Sequence, residues 1–199
     1  MNLEPVTLNG NIVRLEPLAW HHLADLTLAG KDERIWTFMR YGIVDSEEKM
    51  LHMIEDLLAH QAEGTDLPFS VISQASGKAI GMTRYLNIEV HNRAVEVGGT
   101  WYVAEYQHTG VNTECKFLLF QYAFEQLDCI RVQIKTDLRN ERSQRAIERI
   151  GAVREGVLRD HMILPDGVVR SSVYYSILAR EWPAVKAHLV DLINRPEKK

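Results

Sequence analysis

The feature that most constrains the fold is a strand that runs through a short loop into a largely apolar helix. Residues 94–103 have the pattern of a strand, which Gly98 and Gly99 interrupt. The helix is expected over about residues 112–126. Its apolar side chains are Phe117, Leu118, Leu119, Phe120, Tyr122, Ala123 and Phe124. A helix that is apolar on most sides is buried. The pattern therefore predicts a central helix packed against a sheet.

The remaining elements predict a mixed sheet of about seven strands covered by helices. Strands are expected at 12–16, 69–72, 79–88, 94–103, 130–135, 157–163 and 173–178. Asp166-Gly167 is expected to form the hairpin turn between the last two strands. Besides the central helix, helices are expected at 20–29, after the N-cap Ser46 as far as Gly64, and at 140–150 and 184–193. Residues 37–45 are expected to form a loop.

Length and composition indicate one globular domain. The chain has 199 residues, of which 46% are hydrophobic and 25% charged. A chain of this size can bury a stable core without a disulfide or a metal ion. We expect a single domain over residues 11–180, followed by a C-terminal helix and tail over residues 181–199. A net charge of −4 favours no nucleic-acid partner, which would require a basic surface. No apolar window has the ~18 residues of a membrane span.

The loop between the central strand and the helix can hold an anion. The first turn of a helix has free N–H groups and a partial positive charge. Gly110 would let the backbone approach a phosphate closely, and Asn112 suits an N-cap. Glycines inside a strand often mark a bulge or a bound ligand, so Gly98 and Gly99 would splay the sheet and open a cleft. An ordinary helix cap beside an ordinary bulge remains the alternative.

Two motifs resemble those of the GNAT superfamily of acyl-CoA-dependent N-acetyltransferases. Residues 107–112, Gln-His-Thr-Gly-Val-Asn, are similar to its Gln/Arg-x-x-Gly-x-Gly/Ala pyrophosphate loop. The second motif is Asn-Glu-Arg-Ser at 140–143, followed by residues 146–151. The chain is most similar to the RimJ/RimL-like branch, whose named members acetylate the amino termini of ribosomal proteins. The resemblance implies an α/β (α+β) fold with a mostly antiparallel seven-stranded sheet, splayed at the fourth and fifth strands and flanked by helices.

The resemblance implies transfer of an acetyl group from acetyl-CoA to a primary amine by direct attack in a ternary complex. The amine would belong to a protein or peptide N-terminus or to a small molecule. The residues expected to bind acetyl-CoA are Trp101, Tyr102, Val103, Gln107, His108, Thr109, Gly110, Val111, Asn112, Thr113, Asn140, Ser143 and Arg145. Backbone groups of residues 101–103 would pair with the pantetheine arm. The Val103 N–H, or a neighbouring one, would polarise the thioester carbonyl.

Two side chains are candidates for the catalytic proton transfers. A protonated amine cannot attack, so a base must accept its proton. Glu96 is the candidate base, directly or through water, and a structural carboxylate paired with Arg or Lys is its alternative role. Glu148 stands where many members have a tyrosine that protonates the leaving thiolate. Ser143 is the substitute acid, with a helix N-terminal hydroxyl as the alternative. Asn112 is a second departure, since the family usually has Gly or Ala there.

These departures leave a second function open, that of a non-catalytic acyl-CoA-binding or interaction module. Among acceptors, an acid-lined cleft would favour small cationic amines, whereas an open groove would favour a peptide terminus. A covalent route through Cys115 is conceivable, although a buried thiol is favoured. Dispersed histidines and the lack of ligand spacing predict no metal site.

The expected surroundings of the protein follow from what the sequence lacks. With two cysteines, no Cys-x-x-Cys motif and no visible signal peptide, a reducing cytoplasm is expected. A homodimer stays open, because C-terminal strands in this fold class commonly pair across one.

Overall fold

The computed structural model of the protein describes residues 1 and 3–195. The expected tail over residues 196–199 therefore lies outside the described residues. The strands are β1 (Leu8–Asn9), β2 (Val13–Pro17), β3 (Leu67–Ser73), β4 (Ala79–Glu89), β5 (Ala94–Tyr102), β6 (Arg131–Asp137), β7 (Val153–Ile163) and β8 (Val169–Leu178). The helices are α1 (Leu23–Ala29), α2 (Glu47–Ala62), α3 (Val111–Glu125), α4 (Glu141–Arg149) and α5 (Trp182–Ile193).

Within the described residues, the strands form one eight-stranded sheet in the order β1-β2-β3-β4-β5-β6-β8-β7. Strands β5 and β6 pair in parallel, and the other neighbouring strands pair antiparallel. This confirms the predicted mixed, mostly antiparallel fold. The additional strand, β1, has two residues, too few for an alternating pattern in the sequence to reveal it.

Helices cover both faces of the sheet. Residues of α3 and α5 pack on one face, in a core that includes Leu119, Phe120 and Leu189. Residues of α1 and α2 pack on the other face, in a core that includes Leu26 and Ile54. Helix α3 is buried along most of its length, which confirms the prediction of a central helix.

The sheet opens between β5 and β6. Their pairing comprises three residue pairs and ends with Glu96 opposite Gln133. Beyond this point β5 continues to Tyr102 without β6. The register with β4 shifts at Gly98–Trp101, where Gly99 has a φ of 58°. The predicted bulge and the predicted splay are both present.

The C-terminal hairpin begins earlier than its pattern predicts. Strand β7 starts at Val153 rather than 157, and β8 starts at Val169 rather than 173. The register of β7 with β8 shifts at two places, and each shift interrupts the alternation on which the prediction depends. The predicted turn residue Gly167 has a φ of 82° and lies within a longer loop.

The start of α3 differs from the prediction. Gly110 is the N-cap, and the helix begins at Val111. The prediction that Asn112 is the N-cap is therefore wrong, because Asn112 already lies inside the first turn. The predicted cap at Ser46 is confirmed, since its side chain accepts a hydrogen bond from Lys49 N–H.

A buried carboxylate fastens the N-terminal hairpin to α3. Glu114 accepts hydrogen bonds from the backbone N–H groups of Asn11, Ile12 and Val13 at 2.8, 2.7 and 2.7 Å. Glu114 lies in the first turn of α3, so the contact fixes the turn between β1 and β2 against the start of the helix. It thereby positions Ile12 beside Gly110.

We expect Glu114→Gln to lower the free energy of unfolding by about 2–4 kcal/mol, because one amide hydrogen-bond donor would then face backbone donors. Urea denaturation measures this change. Glu105→Gln, at an exposed acid in the turn before α3, is the matched control. A loss at Glu114 no larger than the control's would contradict the structural role of this contact.

Candidate active site

A cleft of about 940 Å³ lies where β5 and β6 separate. Two of its regions lie on opposite faces of the sheet, and each is named for the ligand that the sequence motifs lead us to expect there. The coenzyme side lies toward α3 and is bordered by the loop 107–109 and by α4. The acceptor side lies toward α1 and α2 and includes residues 34–35 and 37–41, Arg84 and Glu96. Most of the predicted site residues line this cleft, and the others belong to the loop and first turn beside it.

The loop before α3 presents unused backbone donors. Within the described chain, no hydrogen bond engages the backbone N–H groups of His108, Thr109, Gly110, Asn112 and Thr113. Thr109 Oγ1 donates to Tyr106 O at 2.8 Å and accepts from Val111 N–H at 3.3 Å, which fixes the loop. Free donors at the start of a helix form an anion-binding site.

Gly110 lies at a point of close packing, and its backbone angle is an ordinary one. Its φ of −65° is available to any residue. A Cβ atom at this position would lie 2.8 Å from Ile12 Cδ1. The glycine therefore allows the turn between β1 and β2 to approach the loop closely. The side chains of Val111 and Thr113 are buried, so these residues can contact a ligand in the cleft through their backbone.

Gln107 connects the loop to both walls of the cleft. Its Nε2 donates to Tyr102 O at 3.0 Å, and its Oε1 accepts from Arg142 Nη1 at 2.8 Å. The first position of the motif thus has a structural role as a bridge between β5 and α4. Arg145 pairs with Glu141 at 3.2 Å on the exposed face of α4, at the rim of the cleft.

The N–H that faces the open edge of β5 belongs to Tyr102. Val103 N–H donates to Ile80 O at 2.9 Å, so of the predicted donors, Val103 N–H or a neighbouring one, Val103 itself is not free. Tyr102, the residue before Val103, is opposite Gly81 in the same register. Because successive N–H groups of a strand point in opposite directions, Tyr102 N–H points away from β4 toward the cleft.

Asn112 contacts the floor of the cleft. Its Oδ1 accepts a hydrogen bond from Tyr102 OH at 3.3 Å. The amide therefore does not fill the space beside the free N–H groups as a cap would. The departure from Gly or Ala at this position is accommodated by a contact with β5.

Glu96 is buried at the point where the sheet opens. Its Oε2 accepts hydrogen bonds from Asn87 Nδ2, Gln133 Nε2 and Lys135 Nζ at 2.9, 3.0 and 3.0 Å. The ion pair with Lys135 is the structural role that the sequence left open. None of these bonds engages Oε1, which lies on the side of Gly98. One oxygen thus holds the carboxylate in place while the other faces the bulge.

At the start of α4, Asn140 is the cap and Ser143 is not. Asn140 Oδ1 accepts from Ser143 N–H at 3.1 Å, and both residues line the cleft. The Ser143 hydroxyl makes no hydrogen bond within the described chain. Glu148 does not line the cleft and accepts instead from Tyr175 OH at 3.1 Å. Its neighbour Ile147 faces the cleft instead. The side chain at position 148 therefore does not lie where a tyrosine could protonate a thiolate in the cleft, and the comparison of Glu148 with that tyrosine does not hold.

Lys116 is a cleft residue that the sequence analysis missed. It is buried on α3, and its Nζ donates to Thr100 Oγ1 at 2.7 Å. Burial lowers the pKa of its ammonium group to about 8. The signal in the sequence was a lysine inside an otherwise apolar helix. Cys115 beside it is also buried, and burial raises the pKa of its thiol to about 12, which argues against a covalent route through this residue.

Aromatic residues and arginines form the acceptor side. Trp36 and Trp101 have ring centroids 5.0 Å apart and are both buried. The segment that follows Trp36 crosses the sheet, where Arg170 Nη1 donates to Phe38 O at 3.2 Å. Tyr41 also lines the cleft. Trp20, which precedes α1, is exposed.

A histidine cluster lies outside the cleft. Glu16, His21 and His22 bring their ligand atoms within 4.8 Å of one another. Both ring nitrogens of His22 have protein partners, Ala19 N–H and Glu16 Oε2. Hydrogen bonds within the protein therefore explain why these three side chains lie close together.

The helices in the described part of the chain include none that is both long and apolar enough to cross a bilayer.

Comparison with known proteins assigns the chain to a family. Residues 13–153 match the acetyltransferase (GNAT) domain. A Bacillus subtilis (strain 168) protein with the provisional name ribosomal N-acetyltransferase YdaF is 31% identical over 174 residues, which cover 86% of this chain and 92% of the relative.

Two crystal structures share the fold. A GCN5-related N-acetyltransferase from Brucella melitensis has a TM-score of 0.90 and 29% identity, with 98% of this chain and 88% of the other covered. An acetyltransferase from T. thermophilus has a TM-score of 0.87 and 38% identity, with 96% and 99% covered.

The fold and the cleft define an acyl-CoA-dependent N-acetyltransferase. The chain belongs to the GNAT acetyltransferase family, whose fold uses acetyl-CoA. The resemblance inferred from the two sequence motifs is thereby confirmed, as is the enzyme class. The non-catalytic alternative has no support from these comparisons.

The buried Lys116 gives a pH-dependent stability. Because the pKa in the folded state is about 8 and the ordinary value is 10.5, the unfolded chain binds more protons between these pH values. The free energy of unfolding of the wild type should therefore rise across this range, by about 3 kcal/mol from this residue.

We expect Lys116→Met to remove this rise, so that its stability relative to the wild type falls between pH 8 and pH 10.5. Urea denaturation at a series of pH values measures the difference. The same substitution at the exposed Lys78 controls for the change of side chain. Parallel stability curves for the wild type and Lys116→Met would contradict burial of an ammonium group.

Proposed function

We propose that the protein transfers the acetyl group of acetyl-CoA to a primary amine by direct attack in a ternary complex. The acceptor amine belongs to a protein or peptide N-terminus or to a small molecule. The observation that carries the proposal is the cleft at the splay, which brings Glu96 and the edge of β5 into one space. The domain that performs this reaction comprises residues 11–180.

The residues on the coenzyme side fit acetyl-CoA, which supplies an acetyl group activated as a thioester. The free N–H groups of residues 108–110, 112 and 113 would hold the diphosphate. Arg142, Arg145 and Arg149 line the same side, and guanidinium groups suit phosphate oxygens. The number of unused donors in this loop supports a diphosphate better than a neutral ligand.

The open edge of β5 would hold the pantetheine arm. Trp101 and Tyr102 lie beyond the last pair with β6, so an extended amide-rich chain can take the position of the missing strand. Asn140 uses its Oδ1 as a helix cap, which leaves its Nδ2 to donate to a pantetheine carbonyl.

Tyr102 N–H would donate to the thioester oxygen, in place of the Val103 N–H expected from the sequence. Such a donor becomes more effective as negative charge develops on the oxygen, and one donor is typically worth ~3 kcal/mol. Glu96 would accept the proton of the amine through its free Oε1, directly or through one water molecule. The hydrogen bonds to Oε2 hold the carboxylate in position for this step.

Ser143 would return a proton to the leaving sulfur. Its hydroxyl lines the cleft and its backbone is held by Asn140. The capping role that competed with this assignment belongs to Asn140 instead, which supports a role for Ser143 in proton transfer.

The acceptor and the assembly follow the family. YdaF of Bacillus subtilis carries a ribosomal N-acetyltransferase name, which favours a protein N-terminus as the acceptor and the RimJ/RimL-like branch.

Strand β7 is one edge of the sheet and carries the exposed Val153, Leu158 and Ile163, which supports a homodimer through this strand. Both cysteines are free and buried, which suits a reducing cytoplasm.

We expect Glu96→Gln to reduce kcat by about 10²- to 10⁴-fold, because the amide cannot accept the amine proton. The carbonyl oxygen of glutamine can still accept the hydrogen bonds now made to Oε2, so binding of acetyl-CoA should be retained. Release of free thiol with an amine panel measures kcat, and calorimetry measures the Kd for CoA.

Glu89→Gln, at an exposed acid on the same sheet, is the matched control and should leave both quantities unchanged. An unchanged kcat in Glu96→Gln would remove Glu96 from the mechanism. A loss of CoA binding together with activity would assign the residue to the structure of the cleft instead.

A further inference from the structure

The acceptor side contains an arginine that is buried without hydrogen bonds. Arg84 lies on β4 and is 3% exposed. Its Nε and Nη1 atoms are enclosed and make no hydrogen bond with any residue that the structure describes. Arginine carries five N–H donors, and buried donors are almost always satisfied. Among the described residues, these two donors of Arg84 therefore have no acceptor in hydrogen-bonding geometry.

Asp66 compensates the charge of Arg84 but does not satisfy its hydrogen-bond donors. Asp66 Oδ2 lies 3.0 Å from Arg84 Nη1, in a geometry that makes no hydrogen bond. Burial raises the pKa of the Asp66 carboxyl, and the charge of Arg84 acts in the opposite direction. Because Arg84 also lines the cleft, its remaining donors are near the space that an acceptor enters.

Two neighbours leave room and a further polar atom at this place. A Cβ atom on Gly99 would lie 3.0 Å from Arg84 Nε, so the glycine keeps that space open. The Arg84 guanidinium carbon lies 5.4 Å from the ring centroid of Tyr41. The Tyr41 hydroxyl is buried and has no hydrogen-bond partner among the described residues. Arg84 and Tyr41 therefore pack together in one wall of the cleft.

The charges on the acceptor side do not suit a cationic amine. Of the described residues, the acids that line the cleft are Glu96 and Glu141. Glu96 is paired with Lys135, and Glu141 lies at the start of α4. Arginines line the acceptor side instead, at positions 34, 40, 84, 139 and 170. All but Arg40 have an acidic partner, which does not itself line the cleft. The alternative of an acid-lined cleft for small cationic amines is therefore not what the residues provide.

We propose that the acceptor carries a carboxylate, which binds to Arg84 and Tyr41 while its amine lies at Glu96. This inference rests on the proposed acetyl transfer. On β5, Gly98 is opposite Arg84 and Glu96 is opposite Leu86. Arg84 and Glu96 are therefore diagonal neighbours on one face of the sheet, and diagonal residues of an antiparallel pair are about 7–8 Å apart along the backbone. Carboxylates form strong, often bidentate pairs with guanidinium groups. The substrate class is an amine with a carboxylate a few bonds away.

Matched acceptors test this proposal, because the members of each pair differ in one carboxylate. Amidation also lowers the pKa of the amine, so kcat/KM is compared per concentration of free amine. One pair is glycine and glycinamide, in which the charge is the α-carboxylate. The other is a tetrapeptide amide that begins with aspartate and the same peptide with asparagine, in which the charge is on the side chain. We expect kcat/KM to be at least about tenfold higher for the acid in one pair. The pair that shows the preference identifies the source of the carboxylate.

Two variants assign the preference to Arg84. Arg84→Gln removes the guanidinium, and the double variant Arg84→Met with Asp66→Asn removes both buried charges together, in case the single variant does not fold. In either variant the ratio of kcat/KM between acid and amide should fall to about one. Arg180→Gln, at an exposed arginine outside the cleft, should keep the wild-type ratio.

Binding provides a readout that does not depend on turnover. Trp36 and Trp101 lie in this region, so tryptophan fluorescence can report the binding of the N-acetylated acid and of its N-acetylated amide. Tighter binding of the acid to the wild type, lost in the Arg84 variants, supports the carboxylate site. Equal kcat/KM in both pairs, or equal binding of acid and amide, would overturn it. Absence of transfer to every amine would count against the proposed function, and the binding result would still decide the site.

Discussion

The early end of pairing between β5 and β6 is the constraint on which the rest of the structure depends. After Glu96 the two strands separate, and the bulge at Gly98–Trp101 turns the remainder of β5 along the edge of the opening. Without this separation the N–H of Tyr102 would be paired with β6 and the cleft would be closed. The same opening places the start of α3 and the start of α4 on its two sides.

The sheet divides the cleft into two chemical environments. Toward α3 lie free backbone donors, the arginines of α4 and the buried Lys116, which suit an anionic coenzyme. Toward α1 and α2 lie Glu96, Arg84 and an aromatic pair, which suit an amine that approaches from the other face. Glu114 supports the first of these regions, since it holds the N-terminal hairpin against the helix that follows the phosphate loop.

The sequence predicts the elements better than the partners of individual atoms. Local patterns were sufficient for the central helix, the bulge and the loop before α3, because each depends on neighbouring residues. The engagement of Val103 by Ile80, and of Glu148 by Tyr175, depends on residues distant in the chain. Arg84 and Lys116 were missed because each is a single charge in an apolar segment, and only the fold shows that both line the cleft.

A crystal structure of the complex with CoA tests the central claim most directly. The account predicts that diphosphate oxygens accept hydrogen bonds from the N–H groups of His108 to Gly110, Asn112 and Thr113, and that the pantetheine arm extends beside Trp101 and Tyr102 toward Glu96. Val103 N–H should remain bonded to Ile80 O. A diphosphate bound elsewhere, or a pantetheine arm that leaves the space between β5 and β6, would contradict the account.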